Sequence, residues 1–78
     1  MPNLNKPFII YGRAECPYCD KAIDLVNDID GWFHYFGTED WRRKDYLTRQ
    51  GLTTVPQIWH DGRHIGGYED LKEYLNAH

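Results

Sequence analysis

Apolar positions in this chain fall first into a short unbroken run and then into a helical stripe. Phe8, Ile9, Ile10 and Tyr11 are continuously apolar, the pattern of a strand covered on both faces. Gly12 to Glu15 reads as a loop. Beyond it, Cys19, Ala22, Ile23, Val26 and Ile29 recur at helical spacing and define one buried stripe, which Gly31 brings to an end. Residues 32–36 are a second strand candidate. A helix between two such strands predicts a parallel pair joined by a right-handed crossover.

The second half of the pattern is weaker at first and then sharp. Thr38 suits a helix N-cap, with Glu39 and Asp40 placed at the positive end of a helix running to about Gln50. Its stripe is thin: Trp41, Tyr46 and Leu47. Gly51 is the natural stop. Residues 54–59 read as a third strand entered through Pro56, and Asp61-Gly62 is a strong two-residue hairpin signal. Arg63, His64 and Ile65 return as the fourth strand. Gly66-Gly67 then breaks the chain before a last helix with Tyr68, Leu71, Tyr74 and Leu75 on one face. The expected order is βαβαββα, an α/β class, with no repeat and no low-complexity linker.

Bulk properties narrow the function. A chain of 78 residues, 41% hydrophobic, supports one small core and a single domain over 1–78. Its net charge of -3 and pI near 5.7 argue against nucleic acid as the main ligand. Arg42, Arg43 and Lys44 read first as the solvated face of a helix. Met1 to Lys6 has no apolar signal region, and no stretch is long enough to span a bilayer. The expectation is a cytoplasmic protein, in which two cysteines are catalytic or metal-binding rather than a staple.

Those cysteines sit in Cys16-Pro17-Tyr18-Cys19. Pro17 suits the first position inside a helix, because its missing N–H would have no partner there. Cys16 is thereby expected at the cap, an exposed tip where the free N–H groups and the positive helix end converge. Cys19 lies on the same side of the first turn, turned toward the core, so the two sulfurs can reach disulfide distance. This geometry makes Cys16 the attacking thiol and Cys19 the resolving one. A free cysteine titrates near ~8.5, and lowering that below about 7 takes roughly 2 kcal/mol. A helix terminus supplies about 0.3–1 kcal/mol and seldom more than about 2. Direct N–H···S bonds and a cation must contribute, and Arg13 is the candidate cation.

Other readings of the pair stay open. A structural disulfide would close a tiny loop and restrain the unfolded chain little. Zinc would use Cys16 and Cys19 with His60 and His64, although the interval between the pairs far exceeds the about 12 residues of a finger. An iron–sulfur cluster is a third use, which Pro17 disfavours by stiffening the loop. His34 and His78 carry no motif and read as ordinary strand and tail residues.

Taken together, the Cys16–Cys19 motif, Thr54-Val55-Pro56 and Gly66-Gly67-Tyr68-Glu69-Asp70-Leu71 make the chain resemble the glutaredoxins over nearly its whole length, and most of all their compact bacterial and phage members. The resemblance implies a thioredoxin-like fold, a four-stranded mixed sheet flanked by three helices, and glutathione-dependent thiol–disulfide exchange. It further implies a cis Pro56 across from Cys16, with Thr54 and Val55 in the binding loop and the Val55 backbone free to pair with a bound peptide. Gly67, Tyr68, Glu69 and Asp70 would hold the γ-glutamyl end of glutathione, Asp70 taking its ammonium. Arg13 and Arg43 would meet the glycine carboxylate, and Tyr18 would flank the bound sulfur. Arg13 stands where lysine is common, and Tyr68 is bulkier than the residue usual there. The resemblance implies glutathione as co-substrate, no tightly bound cofactor or metal, and a monomer. Its partners would be disulfide-containing or glutathionylated proteins, ribonucleotide reductase being one candidate, with neither nucleic acid nor membrane. The nearest alternative is a thioredoxin-type donor recharged by a flavoprotein reductase.

Overall fold

Strand β1 (Phe8–Gly12) is one of two inner strands of the sheet. It pairs in parallel with β2 (Phe33–Gly37), Ile10 opposite Tyr35, and antiparallel with β3 (Gln57–His60), Ile10 opposite Ile58. Beyond β3 lies β4 (Arg63–Gly66), antiparallel to it, so the sheet order is β2-β1-β3-β4. Helices α1 (Pro17–Asp28), α2 (Trp41–Thr48) and α3 (Tyr68–Ala77) complete the βαβαββα order that the periodicity predicts. This computed structural model describes residues 2–77; Met1, in the N-terminal stretch, and the tail residue His78 lie outside them.

Alternation along β1 sorts the core. Phe8, Ile10 and Gly12 turn to one face, where α1 and α3 pack side by side against the sheet. Phe8, Ile10, Ala22, Val26, Ile58 and Leu71 form the buried cluster there. Full burial of the Phe, Ile, Val and Leu side chains among them is worth about 1.5–3 kcal/mol each. Tyr11 faces the other way, its ring 5.3–5.6 Å from those of Phe36, Trp59 and Tyr46. Only Leu47 of the expected α2 stripe is buried, while Trp41 is 72% exposed. Tyr46 is half-exposed and lies on the aromatic face instead.

The turns show which local signals mattered. Asp61 and Gly62 both have positive φ, as a tight hairpin turn requires. Helix α1 ends with Gly31 N–H on the Val26 carbonyl at 2.9 Å and Asp30 N–H on the Asn27 carbonyl at 3.0 Å. The residue that turns left-handed there is Asp30, φ 58°, and not Gly31. Gly31 is needed for space, since a Cβ on it would press on Val26 at 3.0 Å. The N-cap of α2 is Asp40 rather than Thr38: its carboxylate accepts from Arg42 N–H at 3.0 Å and pairs with the Arg42 guanidinium at 2.9 Å. The Arg42 side chain, first among the causes, holds the Asp40 carboxyl at about 2. Strand β3 starts at Gln57, later than the pattern suggested, because Pro56 has no N–H to give a ladder. Among the described residues no helix is long and apolar enough to cross a membrane.

One buried polar residue ties the ends of the fold together. His60, opposite Phe8 in the β1–β3 ladder, stacks on that ring at 3.9 Å. Its Nε2 lies 3.0 and 3.2 Å from the Asn3 and Lys6 carbonyls, which can only accept, so Nε2 carries the proton. Nδ1 then accepts from the Tyr74 hydroxyl at 2.8 Å. Replacing His60 by Ala removes both the packing and the hydrogen bonds. It is expected to cost about 2–4 kcal/mol, read as a lowered urea midpoint at unchanged slope. An unmoved midpoint would contradict this role.

Candidate active site

The first turn of α1 meets the end of β1 and the loop before β3. Glu15, at φ 56°, turns the chain sharply so that Cys16 becomes the N-cap, extended at φ -121° and ψ 98°, with Pro17 following as the first helical residue. The Cys16 sulfur accepts the Cys19 N–H at 3.2 Å, and the Cys16 carbonyl accepts from Asp20 N–H at 3.1 Å. The two cysteines are joined by a disulfide with Cα atoms 5.2 Å apart. Cys19 is 1% exposed, as its place in the stripe requires. Cys16 is only 5% exposed, which corrects the expectation of an open tip. Its bond to Cys19 folds the sulfur back into the turn, beneath Val55.

Facing that sulfur is the Thr54–Val55–Pro56 loop. The Val55–Pro56 peptide is cis, and the Val55 carbonyl lies 4.0 Å from the Cys16 sulfur. In the disulfide that sulfur has no proton to give, so this is a contact; in the thiol it becomes a donor to the same oxygen. Gln57 fixes the loop by donating to the Thr54 carbonyl at 3.0 Å. On the far side, a Cβ on Gly67 would sit 3.6 Å from the Pro56 carbonyl, so the start of α3 comes up against the loop.

A cleft of about 480 Å³ opens beside Val55, lined among others by Arg13, Thr38, Glu39, Lys44, Thr53 and Thr54. Of the two arginines expected at a carboxylate, only Arg13 reaches it. Arg43 is turned away, its guanidinium over the Phe36 ring at 5.2 Å and 3.5 Å from the Gly37 carbonyl. Lys44, the next residue on α2, lines the cleft. With Leu47 as its one buried residue, the segment defines no helix phase, and no local signal in the sequence singles out Lys44.

Glu39 was likewise read only as a helix-start charge. Its carboxylate instead accepts the Ala14 N–H at 2.7 Å, tying the loop that leads to Cys16 onto the β2–α2 turn. That bond holds the Glu39 carboxyl below its usual range, with Arg13 contributing less. Gly37 makes room, since a Cβ there would strike the Glu39 carboxylate. No spacing rule relates residues 14 and 39, so no signal in the sequence pointed to this contact.

Tyr18, on the first turn of α1, and Tyr68, at the start of α3, lie with their rings 5.9 Å apart. Lys21 lies over the first ring at 5.0 Å and Lys72 over the second at 5.3 Å. Glu69 pairs with Lys72 at 3.2 Å on the outer surface, away from the cleft. Asp70 accepts from Gly67 N–H at 2.9 Å, one half of a capping box at the start of α3. The histidines of the zinc alternative are occupied elsewhere, His60 as described and His64 with Gln57 Oε1 at 2.9 Å. Among the described residues no three His, Cys, Asp or Glu side chains gather into a metal-holding group.

A disulfide at a helix N-terminus, opposite a cis-proline loop on a β2-β1-β3-β4 sheet, defines a thioredoxin-like thiol–disulfide oxidoreductase. The glutaredoxin family model matches residues 8–65, and the chain belongs to the glutaredoxin family. It is 38% identical to glutaredoxin 1 of Escherichia coli K12 over 82 aligned positions, covering 88% of this chain and 96% of that protein. Identity to glutaredoxin 3 of the same strain is 39% over 64 residues, 80% of this chain and 77% of that one. Among solved structures, glutaredoxin 1 of Francisella tularensis complexed with cacodylate superposes with a TM-score of 0.78 at 28% identity, covering 92% of this chain and 94% of that one.

Gly66 sits at φ 121°, and a Cβ there would collide with the Asp70 carboxylate. Gly66→Ala therefore both strains the backbone and breaks the cap of α3. The expected loss is about 1–3 kcal/mol, seen as a lower melting temperature. A melting temperature equal to that of the parent protein would contradict the cap geometry.

Proposed function

We propose that this protein is a dithiol glutaredoxin that uses glutathione as its electron donor, with Cys16 as nucleophile and Cys19 as resolving thiol. The observation that carries the reading is the Cys16 sulfur, which accepts a first-turn N–H at 3.2 Å and lies 4.0 Å from the Val55 carbonyl beside a cationic cleft. A sulfur accepting a helix N–H is better stabilised as thiolate than as thiol. The reduced Cys16 thiolate attacks a substrate disulfide, forming a mixed disulfide and expelling one thiolate. Cys19 then attacks the Cys16 sulfur, releasing the second substrate thiol and leaving the Cys16–Cys19 disulfide. One glutathione thiolate opens that bond at Cys16, and a second attacks the glutathione sulfur, giving glutathione disulfide and free Cys16. For a glutathionylated protein, Cys16 and glutathione suffice.

In this reading Arg13 and Lys44 hold the glycine carboxylate of glutathione, Lys44 filling the role expected of Arg43. The Val55 backbone pairs with the tripeptide, and its γ-glutamyl end lies toward Gly67 and Asp70 with Tyr18 and Tyr68 as the wall. Residues 1–78 act as one domain and as a cytoplasmic monomer, without a tightly bound cofactor. Disulfide-containing or glutathionylated proteins are the substrates, ribonucleotide reductase among the candidates.

Cys19→Ser is expected to keep deglutathionylation of a glutathionylated peptide, and Cys16→Ser to abolish it. Turnover should be sustained by glutathione with its reductase and not by thioredoxin reductase. Activity surviving in Cys16→Ser would reverse the assignment of the two sulfurs. Turnover sustained only by thioredoxin reductase would replace glutathione as donor.

A further inference from the structure

Each cycle of protein-disulfide reduction in the proposed reading must create and discharge a thiolate on Cys19, a sulfur that is 1% exposed. An ionised group so buried is costly unless a donor faces it. The Cys19 backbone N–H is committed to the Cys16 sulfur at 3.2 Å. A donor must come from elsewhere.

Strand β2 supplies one. Its parallel register sets Tyr35 opposite Ile10, on the side of the sheet that α1 covers, and the ring runs past the end of β1 through a gap left by Gly12. A Cβ on Gly12 would lie 3.0 Å from the Cys19 sulfur and 3.0 Å from both Cε1 and the hydroxyl oxygen of Tyr35. Sulfur and phenol oxygen therefore border the same small space, within twice that distance of each other. Tyr35 is also 40% exposed, so it touches water on one side and this space on the other. Opening the disulfide removes the covalent tie that holds the Cys19 sulfur to Cys16.

We infer that the Tyr35 hydroxyl is the proton-donating partner of Cys19, linking that buried sulfur to solvent. When a thiol reductant attacks Cys16, a new S–S bond forms there, the Cys16–Cys19 bond breaks, and its electron pair stays on Cys19. The Tyr35 O–H hydrogen-bonds this thiolate, and a proton from water reaches the sulfur through the phenol. In the other direction the proton leaves by the same route before Cys19 attacks Cys16 and expels the substrate thiolate. Asp20 from α1 and Glu39 from the turn before α2 face the phenol, and Arg13 acts on Glu39. Burial first, and then the Glu39 and Asp20 carboxylates, push the phenol above its ordinary range, which keeps it in the donating form.

The test rests on the reading of Cys16 as nucleophile but is separable from it, because Cys19 is titrated with Cys16 removed. Thiolate absorbance is followed against pH in Cys16→Ser and in Cys16→Ser/Tyr35→Phe, with melting curves to check the fold. Loss of the hydroxyl is expected to raise the Cys19 midpoint by about one pH unit. With both cysteines present, Tyr35→Phe should lower the rate of protein-disulfide reduction relative to deglutathionylation about tenfold at neutral pH. Coincident midpoints, or an unchanged ratio of the two rates, would overturn the role of Tyr35 and leave the assignment of Cys16 intact.

Discussion

The N–H of Cys19 pointing at the sulfur of Cys16 is the contact on which the rest of the molecule converges. It exists because Cys16 is the residue at which an extended chain becomes a helix, and because Pro17 begins that helix without needing a donor of its own. The energy scale shows why geometry matters here. Shifting a thiol into useful ionisation takes roughly 2 kcal/mol, and the diffuse field of a helix end seldom supplies that much. A direct N–H···S bond supplies a term of similar size to the same charged form, since hydrogen bonds to ions are worth about 1.5–3 kcal/mol. Losing the alignment by a fraction of a turn would forfeit it.

Much of the fold serves to hold that alignment against thermal motion. Ala22 and Val26 seat α1 on Phe8, Ile10 and Ile58, which fixes its rotation about its own axis. Glu39 holds the approach loop at Ala14, and Gln57 holds the opposing loop at Thr54, so both sides of the sulfur are tethered by side chains from other elements. His60 closes the far end of the sheet, binding the N-terminal segment and α3 to β3. The surface ion pairs, such as Arg49 with Asp45, lie on exposed side chains and add little.

How much could be read beforehand depended on whether a local rule governed the feature. The α1 stripe, the Asp61-Gly62 turn, the stop at Gly51 and the βαβαββα order of elements all follow from periodicity or turn chemistry, and they stand as read. So do the capping place of Cys16 and the burial of Cys19. What no local rule governed has a common cause. Lys44 lining the cleft, Glu39 on Ala14, and Tyr35 and Cys19 meeting at the Gly12 gap are arrangements between elements far apart in sequence, set by helix rotation and strand register. The low exposure of Cys16 belongs to the same group, for the cover comes from Val55 and from the closed disulfide. Helix α2 was hardest, because its only buried residue is Leu47 and one apolar position defines no phase.

The central claim is that the first turn of α1 stabilises charge on one sulfur. The most direct measurement is the rate at which reduced Cys16 is alkylated by iodoacetamide as a function of pH, with Cys19 replaced by Ser. A half-maximal rate below about pH 7 is what the geometry requires. A profile rising only around the ordinary thiol value of about 8.5 would contradict it.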